Sequence, residues 1–475
     1  MKLKVPKAPD NIAILLIVLL SLPVLYFSLL VPFETDTGDS VVHYFFARYA
    51  FQDPRLFLDH WAKPFFTLLA SPFAQFGFAG MKLFNGLAGV LSAWFAYCIA
   101  KKLDLKFPWL AIILVLFAPD YFVKLFSGYT EPLFGLILIA SVYLVIIRRP
   151  LSAALLLSFL PFVRSEGLII ILVFAFCFLI RKNYKAILLL TSGHVVYSLA
   201  GLLSGKSIMW VFTEIPYQVV SNYGKGNFTH YPVQLLLTVG VPIFLLSMAG
   251  MVVLFLDMAF PKIQANPTFK TEVRVLILGS FLAYFLFHIF SWGFGLFGSM
   301  GLSRVLTAVV PLLALIALIG LNFLTSWESK GKFPLHTLVY FPILGYVLLF
   351  PFLHNPASID REKDLCRSPD MNLMQNMADD IKKRYPNKLL YYSNPYLSFS
   401  LNINPFDKSK HLCFTDWQSE GKLNPNSIII WDSWFSVVEE RTDSISMLRN
   451  PELHLLKRYE TNGAESKSIF LVFGN

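Results

Sequence analysis

The chain has 475 residues, of which 56% are hydrophobic and 16% aromatic, Phe alone contributing 46, and only 15% are charged, against roughly 25% in an ordinary soluble domain. A chain of this make-up is a membrane protein. Its formal charge of +10 comes largely from basic residues in short loops between apolar segments, a pattern of membrane insertion that argues against a nucleic-acid partner.

The first apolar run, NIAILLIVLLSLPVLYFSLL, is long enough to cross a hydrocarbon core of ~30 Å. No small-residue cleavage site follows it, so a retained helix is expected rather than a removed signal peptide. Apolar segments then recur at residues 12–31, 76–100, 108–119, 130–147, 151–163, 168–180, 186–204, 233–256, 275–292, 305–324 and 335–353. Several fall below the ~17 residues a span usually needs. The pairs around Asp120 and Arg164 are therefore read as spans or as broken helices packed inside the protein.

Orientation follows from the loops. One side carries Lys2, Lys4, Lys7, Lys101, Lys102, Lys106, Arg148, Arg149, Arg181, Lys182, Lys185, Lys262, Lys270, Arg274, Lys330 and Lys332. The other side, up to residue 353, carries half as many: Arg48, Arg55, Lys63, Lys124, Arg164, Lys206, Lys225 and Arg304. The basic side is cytoplasmic. The N-terminus is therefore expected inside, and eleven crossings put both the loop 32–75 and everything after residue 353 outside.

From residue 354 to 475 the pattern changes to charges, turns and short strand-like runs such as KLLYYS, SIIIWD and SIFLVF, separated by helical stretches such as MNLMQNMADDIKKRY. The expected architecture is a mainly α, polytopic membrane domain over 1–353 and a small extracytoplasmic α/β domain over 354–475. Cys366 and Cys413 both fall in that second domain, where an oxidising compartment would permit a disulfide. No internal repeat, zinc-type Cys/His spacing, P-loop or dinucleotide fingerprint is present.

Charges at the mouths of membrane helices are costly, so their clustering points to function. The stretch VPFETDTGDSVVHYFFARYAF places Glu34, Asp36 and Asp39 within six positions, ahead of an amphipathic helix with Asp39, His43 and Phe46 on one face. Asp39 reads either as a helix cap or as a site carboxylate. DPRLFLDHWAKPFF adds Asp59, His60 and Lys63 among aromatics. Later segments add Asp120, Lys124 and Glu131 in FAPDYFVKLFSGYTEPLF, Arg164 and Glu166 in PFVRSEG, and Arg304 after the Gly-rich GLFGSMGLSR. Arg164 and Glu166 could simply neutralise one another, and Arg304 could snorkel to the interface. Taken together these residues suit sugar transfer from a lipid-linked phosphate. Cations hold the phosphate and stabilise it as it leaves, and a carboxylate takes the proton of the attacking hydroxyl.

TGDSVVHYFFARYAF followed by HWAKPFFTLL, with SGYTEPLF and RSEG further on, resembles the GT-C membrane glycosyltransferases, in particular the branch of protein O-mannosyltransferases and the lipid A aminoarabinose transferase. The resemblance implies an inverting transfer of a mannose-like hexose or a pentose from a polyprenyl-phosphate donor to a lipid, glycan or protein acceptor, on the outer face of the cytoplasmic membrane. It also implies a first-loop aspartate as base. Relatives commonly carry two adjacent acids there, whereas here Asp39 is followed by Ser40, so Asp36 stands beside Asp39 as candidate; Asp39 is favoured by its spacing to His43 and Tyr44. Asp120 or Glu131 would be the second carboxylate, and Lys63, Arg164, His60 and Arg304 would hold the donor phosphate. A divalent metal is conceivable at clustered carboxylates, but lipid-monophosphate donors in this family do not generally call for one, so neither cofactor nor metal is expected.

The rival reading is a transporter or lipid flippase, which should keep its ionisable groups near the bilayer midplane on discontinuous helices. A sensor anchored by its helices would need far fewer of them. A reporter fused after residue 475 should be active outside the cytoplasmic membrane and one fused after Lys102 inside it; activity of both on one side overturns the orientation.

Overall fold

The computed structural model describes residues 10–217, 219–259, 271–325, 335–420, 423–461 and 468–474. Of the basic loop residues, Lys2, Lys4, Lys7, Lys262, Lys270, Lys330 and Lys332 lie outside this set. In lipid every backbone N–H and C=O has to be satisfied within its own segment, which leaves the helix as the form of an apolar run. Each of the eleven predicted segments contains helix.

Among the described residues five helices are long and apolar enough to cross a membrane: Asp10–Leu29, Gly77–Lys102, Tyr184–Leu203, Val275–Phe294 and Ser303–Leu324. A further pair, His230–Val239 and Val241–Leu256, bends by 117°. The bend falls on Gly240, whose φ of +76° is open to glycine and strained for other residues. Shorter apolar helices are Pro64–Ala74, Glu131–Ile146, Pro150–Phe162, Gly167–Ile180 and Phe341–Phe352. The first of these lies inside the stretch read from sequence as the loop 32–75. The chain is a multi-pass membrane protein.

Two compact units emerge: Met1–Val31 with Ala50–Asp360, and Pro32–Tyr49 with Arg361–Asn475. The segment 32–49 thus belongs with the C-terminal residues, a grouping that a boundary drawn at 353 on composition does not reveal.

In the first unit, helix Val310–Leu324 is buried along nearly its whole length. Helix Val241–Ala259 approaches it backbone to backbone: a Cβ on Gly250 would lie 1.9 Å from Ile316 O, and one on Gly320 would lie 2.1 Å from Leu246 O. Association within lipid has no hydrophobic driving force to use, so close approach over small residues supplies the packing energy instead.

The second unit is built on a five-stranded sheet of β1 (Leu389–Tyr391), β2 (His411–Leu412), β3 (Ser427–Asp432), β4 (His454–Glu460) and β5 (Ile469–Gly474), in the order β2-β1-β3-β5-β4. β1 is parallel to both β2 and β3, with Leu390 opposite His411 on one side and Ile428 on the other. β5 is antiparallel to β3 and to β4. β3 is buried at every position, as expected of a central strand covered on both faces. Helix Pro369–Arg384 starts at a Ser368 cap, whose side chain accepts from Met371 N. It buries Met371, Met374, Met377, Ala378 and Ile381 at spacings of three and four. From the N-terminal segment, helix Asp39–Tyr49 packs through Tyr44 on Phe399 (6.0 Å between rings) and Phe46 on Phe406 (5.0 Å).

Replacing Gly320 by Val forces apart two helices already in backbone contact, and overpacking of this kind costs about 1–3 kcal/mol. The yield and melting temperature of the detergent-extracted protein should both fall. Gly345→Val, at a position with nothing within 4 Å of the added Cβ, should change neither.

Candidate functional site

Glu131 opens helix Glu131–Ile146 with Pro132 behind it, and it has no exposed surface. A carboxylate removed from water in this way is tolerable only when cations and donors surround it. Two guanidiniums do so: Arg164 Nη1 is 2.7 Å and Arg304 Nη1 3.1 Å from Glu131 Oε1. Arg164 also donates from Nη1 to Thr130 Oγ1 (3.1 Å) and from Nη2 to Glu166 Oε1 (2.7 Å). His288 Nε2 stands 3.7 Å from that same Glu166 oxygen. The Arg304 guanidinium lies 4.2 Å from the centre of the Tyr129 ring, a cation–π contact. Burial raises the Glu166 carboxyl, but Arg164 more than reverses the effect and leaves it at about 2. Two carboxylates and two guanidiniums therefore form a neutral, largely dry cluster.

Local chemistry brings these groups together. The loop before Glu131 is held by Asn85, whose Nδ2 donates to Ser127 O (2.7 Å) and Tyr129 O (2.8 Å) from within helix Gly77–Lys102. Arg164 and Glu166 occupy the turn between the 3₁₀ segment Leu160–Phe162 and helix Gly167–Ile180. That turn closes because residue 167 is Gly: a Cβ there would lie 2.5 Å from the Leu160 carbonyl carbon. Arg304 follows a return that begins at Gly295, left-handed at φ +66° at the end of helix Ser280–Phe294.

Lys63 precedes Pro64 at φ +66°, a sparsely populated conformation for a residue with a side chain. It is only 5% exposed. Its Nζ donates to Ser165 Oγ at 3.0 Å, next in sequence to Arg164, and lies 4.7 Å from the centre of the Tyr217 ring. Among the described residues it forms no ion pair. The ammonium therefore sits in a polar niche with one hydroxyl and one ring face but no counter-ion. His60 is set differently, with its Nε2 3.1 Å from Val211 O. Burial and then Lys63 push the imidazole below its ordinary range, so it is neutral near pH 7. Asp59 Oδ1 accepts from Ala62 N at 2.9 Å and so shapes the turn leading to Lys63. Asp120 pairs with Lys124 at 3.3 Å one helical turn away, whereas Glu131 takes the two arginines.

The remaining candidates belong to the second unit. Asp36 Oδ2 accepts from Ser40 N at 3.1 Å, so Asp36 caps the helix whose first residue is Asp39. Glu34 is buried, bonded twice by Arg367 (Nε 2.8 Å, Nη2 3.2 Å) and by Tyr396 OH at 2.8 Å. This clamp ties the start of the acidic stretch to the C-terminal residues. Cys366 and Cys413 both carry free thiols. No group of three or more His, Cys, Asp or Glu among the described residues is placed to hold a metal ion.

No protein-family model and no curated protein sequence matches the chain. Solved structures do. The crystal structure of ArnT from Cupriavidus metallidurans bound to undecaprenyl phosphate superposes with a TM-score of 0.62 at 11% identity, over 97% of this chain and 97% of that one. The apo form of the same protein gives 0.61 at 12% identity, over 98% of each chain. The chain shares the fold of ArnT. Within this fold, Glu131, Arg164 and Arg304 come from helix ends that are far apart in sequence, and their pairing in one cluster is what sequence reading did not specify. His288 was missed altogether. Its signal was available: it is the one histidine of the apolar run FLAYFLFHIFSW, and an ionisable group inside such a run marks a functional or paired site.

Glu131→Gln leaves two buried guanidiniums short of a counter-charge, and breaking one side of a buried ion pair costs roughly 3–5 kcal/mol. The variant should extract poorly and melt well below wild type, whereas Asp120→Asn, removing a partly solvated pair, should remain folded. Equal melting temperatures for Glu131→Gln and wild type would show the cluster to be dispensable for folding.

Proposed function

We propose that this protein is a polyprenyl-phosphate-sugar-dependent glycosyltransferase of the cytoplasmic membrane, with its N-terminus inside, eleven crossings and the C-terminal unit outside. It moves one mannose-like hexose or pentose, with inversion, to a lipid, glycan or protein acceptor on the outer face. The observation that carries the reading is Lys63, a buried ammonium that donates to Ser165, faces the Tyr217 ring and forms no ion pair among the described residues. A buried charge lacking its partner is expensive, and a lipid monophosphate supplies the missing anion. Arg164 Nε adds a second buried donor that bonds to nothing among the described residues. The overall likeness to a protein crystallised with undecaprenyl phosphate supports the same donor class.

The residues divide the work as follows. Lys63, helped by Arg164 and Arg304, holds the donor phosphate and stabilises the charge it gains as the bond from its oxygen to the sugar's anomeric carbon breaks. The acceptor hydroxyl attacks that carbon from the opposite face, which inverts it, and Asp39 or Asp36 takes the hydroxyl proton as the bond forms. Glu131 balances Arg164 and Arg304 and keeps their remaining N–H groups oriented. His60, neutral and bonded to a backbone carbonyl, positions the turn that presents Lys63. The charges of the cluster stand at helix starts and in turns, whereas a transporter would carry them at midspan on broken helices.

The test uses the full chain in lipid nanodiscs. Lys63→Ala should weaken undecaprenyl phosphate binding by tenfold or more, on the order of 1.4 kcal/mol, without changing the melting temperature. Asp39→Asn keeps most capping ability and should leave donor binding intact while sugar transfer falls about 10²-fold or more. If Asp36→Asn is the inactive variant instead, Asp36 is the base. Wild-type transfer by both Asn variants would remove the first-loop acids from the mechanism, and unchanged donor binding by Lys63→Ala would remove the phosphate site.

A further inference from the structure

In open α/β sheets, ligands bind outside the carboxyl ends of the strands at the point where the chain's connections diverge to opposite sides. The second unit has such a point. From β1 the chain passes to β2 on one side; from β3 it passes toward β4 and β5 on the other, while β1 and β3 lie parallel as neighbours. The segment carrying Asp36 and Asp39 meets the helices that follow both of these strands. Glu34 is bonded to Tyr396 in the helix that follows β1. A Cβ on Gly38 would lie 3.7 Å from Phe435 Cζ, in the helix that follows β3. Ser393, two residues past β1, donates to Glu440 Oε1 at 2.5 Å and so joins the two connections.

Next to Phe435 stands Trp434. Its backbone N–H is engaged by Asp432 Oδ1 at 3.0 Å, and its ring contacts Phe435 edge-on at 4.5 Å between centroids. Yet 45% of the residue is exposed. A large rigid ring held by its backbone and open to solvent is a stacking platform, and the Ser393–Glu440 pair beside the same strand ends offers donors and acceptors for hydroxyl groups.

We infer that the carboxyl ends of β1 and β3 form the acceptor subsite, and that the acceptor presents a sugar ring stacked on Trp434. The inference rests on the glycosyltransferase reading and gives it an acceptor class, a glycan or a glycolipid headgroup. The acid-bearing segment is anchored at the same strand ends, so a ring seated on Trp434 brings its hydroxyls to the stretch that contains Asp36 and Asp39.

The experiment measures saturation-transfer difference NMR on the full chain in nanodiscs, with methyl α-glucopyranoside, methyl α-mannopyranoside and methyl N-acetyl-β-glucosaminide as probes. Wild type should saturate the ring C–H protons of at least one glycoside. Trp434→Phe keeps an aromatic face and should retain the signal, whereas Trp434→Leu and Trp434→Ala should bind about tenfold more weakly. Leucine is the discriminating variant: it preserves an apolar contact with lipid but not ring stacking, so wild-type binding by Trp434→Leu makes Trp434 a membrane contact and overturns the inference. Absence of any glycoside signal in wild type overturns it as well. The same samples are titrated with undecaprenyl phosphate. Donor binding without glycoside binding defeats the acceptor subsite alone, and glycoside binding without donor binding defeats the donor reading while Trp434 retains its ligand.

Discussion

A carboxylate with no access to water dictates the arrangement around it. Glu131 is wholly buried, and its neutralisation requires Arg164 and Arg304 to arrive from two other parts of the chain. Each arrival has a structural precondition. Arg164 depends on the turn that Gly167 allows, Arg304 on the left-handed reversal at Gly295, and the Glu131 loop on the two hydrogen bonds from Asn85. The cluster is therefore a joint between helices. Its near-complete removal from solvent tightens that joint, since low dielectric strengthens every interaction inside it.

Lys63 stands apart because its charge is not consumed in this way. The cluster is already balanced, two guanidiniums against two carboxylates, whereas the ammonium of Lys63 meets a hydroxyl and an aromatic face and no carboxylate within ion-pair distance among the described residues. Its backbone is held in an unfavourable conformation by the Asp59 turn and by Pro64. Strain and an unmatched buried charge both cost stability, and such costs gather where a ligand is to be met. Groups that look equivalent in sequence, all of them basic residues at helix mouths, thus divide into arginines held in buried ion pairs and Lys63, which forms none among the described residues.

The second unit shows the same economy in a different chemistry. Glu34, the first acid of the opening stretch, is spent on the clamp with Arg367 and Tyr396, and Asp36 caps the helix that Asp39 begins. Neighbouring carboxylates thus meet different surroundings, and the clamp ties the segment to the helix that follows β1.

Much of this protein was legible in its residues. Apolar runs of span length have no stable alternative to helix in lipid, so the mainly helical class followed from composition and periodicity, and the turn-rich alternation after residue 354 announced an α/β unit. The short motifs SGYTEPLF and RSEG suggested a resemblance that agrees with the fold the chain shares with ArnT, and Glu131, Arg164 and Arg304 were visible because charges beside apolar runs are costly. Which charges pair was not legible. Glu131 and Arg304 are 173 positions apart, and Glu34 and Arg367 are 333 apart. Nothing in local spacing distinguishes a carboxylate that neutralises a distant arginine from one that caps a nearby helix. That distinction, together with the union of residues 32–49 with the C-terminal unit, was made only by tertiary structure, because burial and counter-charge belong to the neighbours a residue acquires on folding.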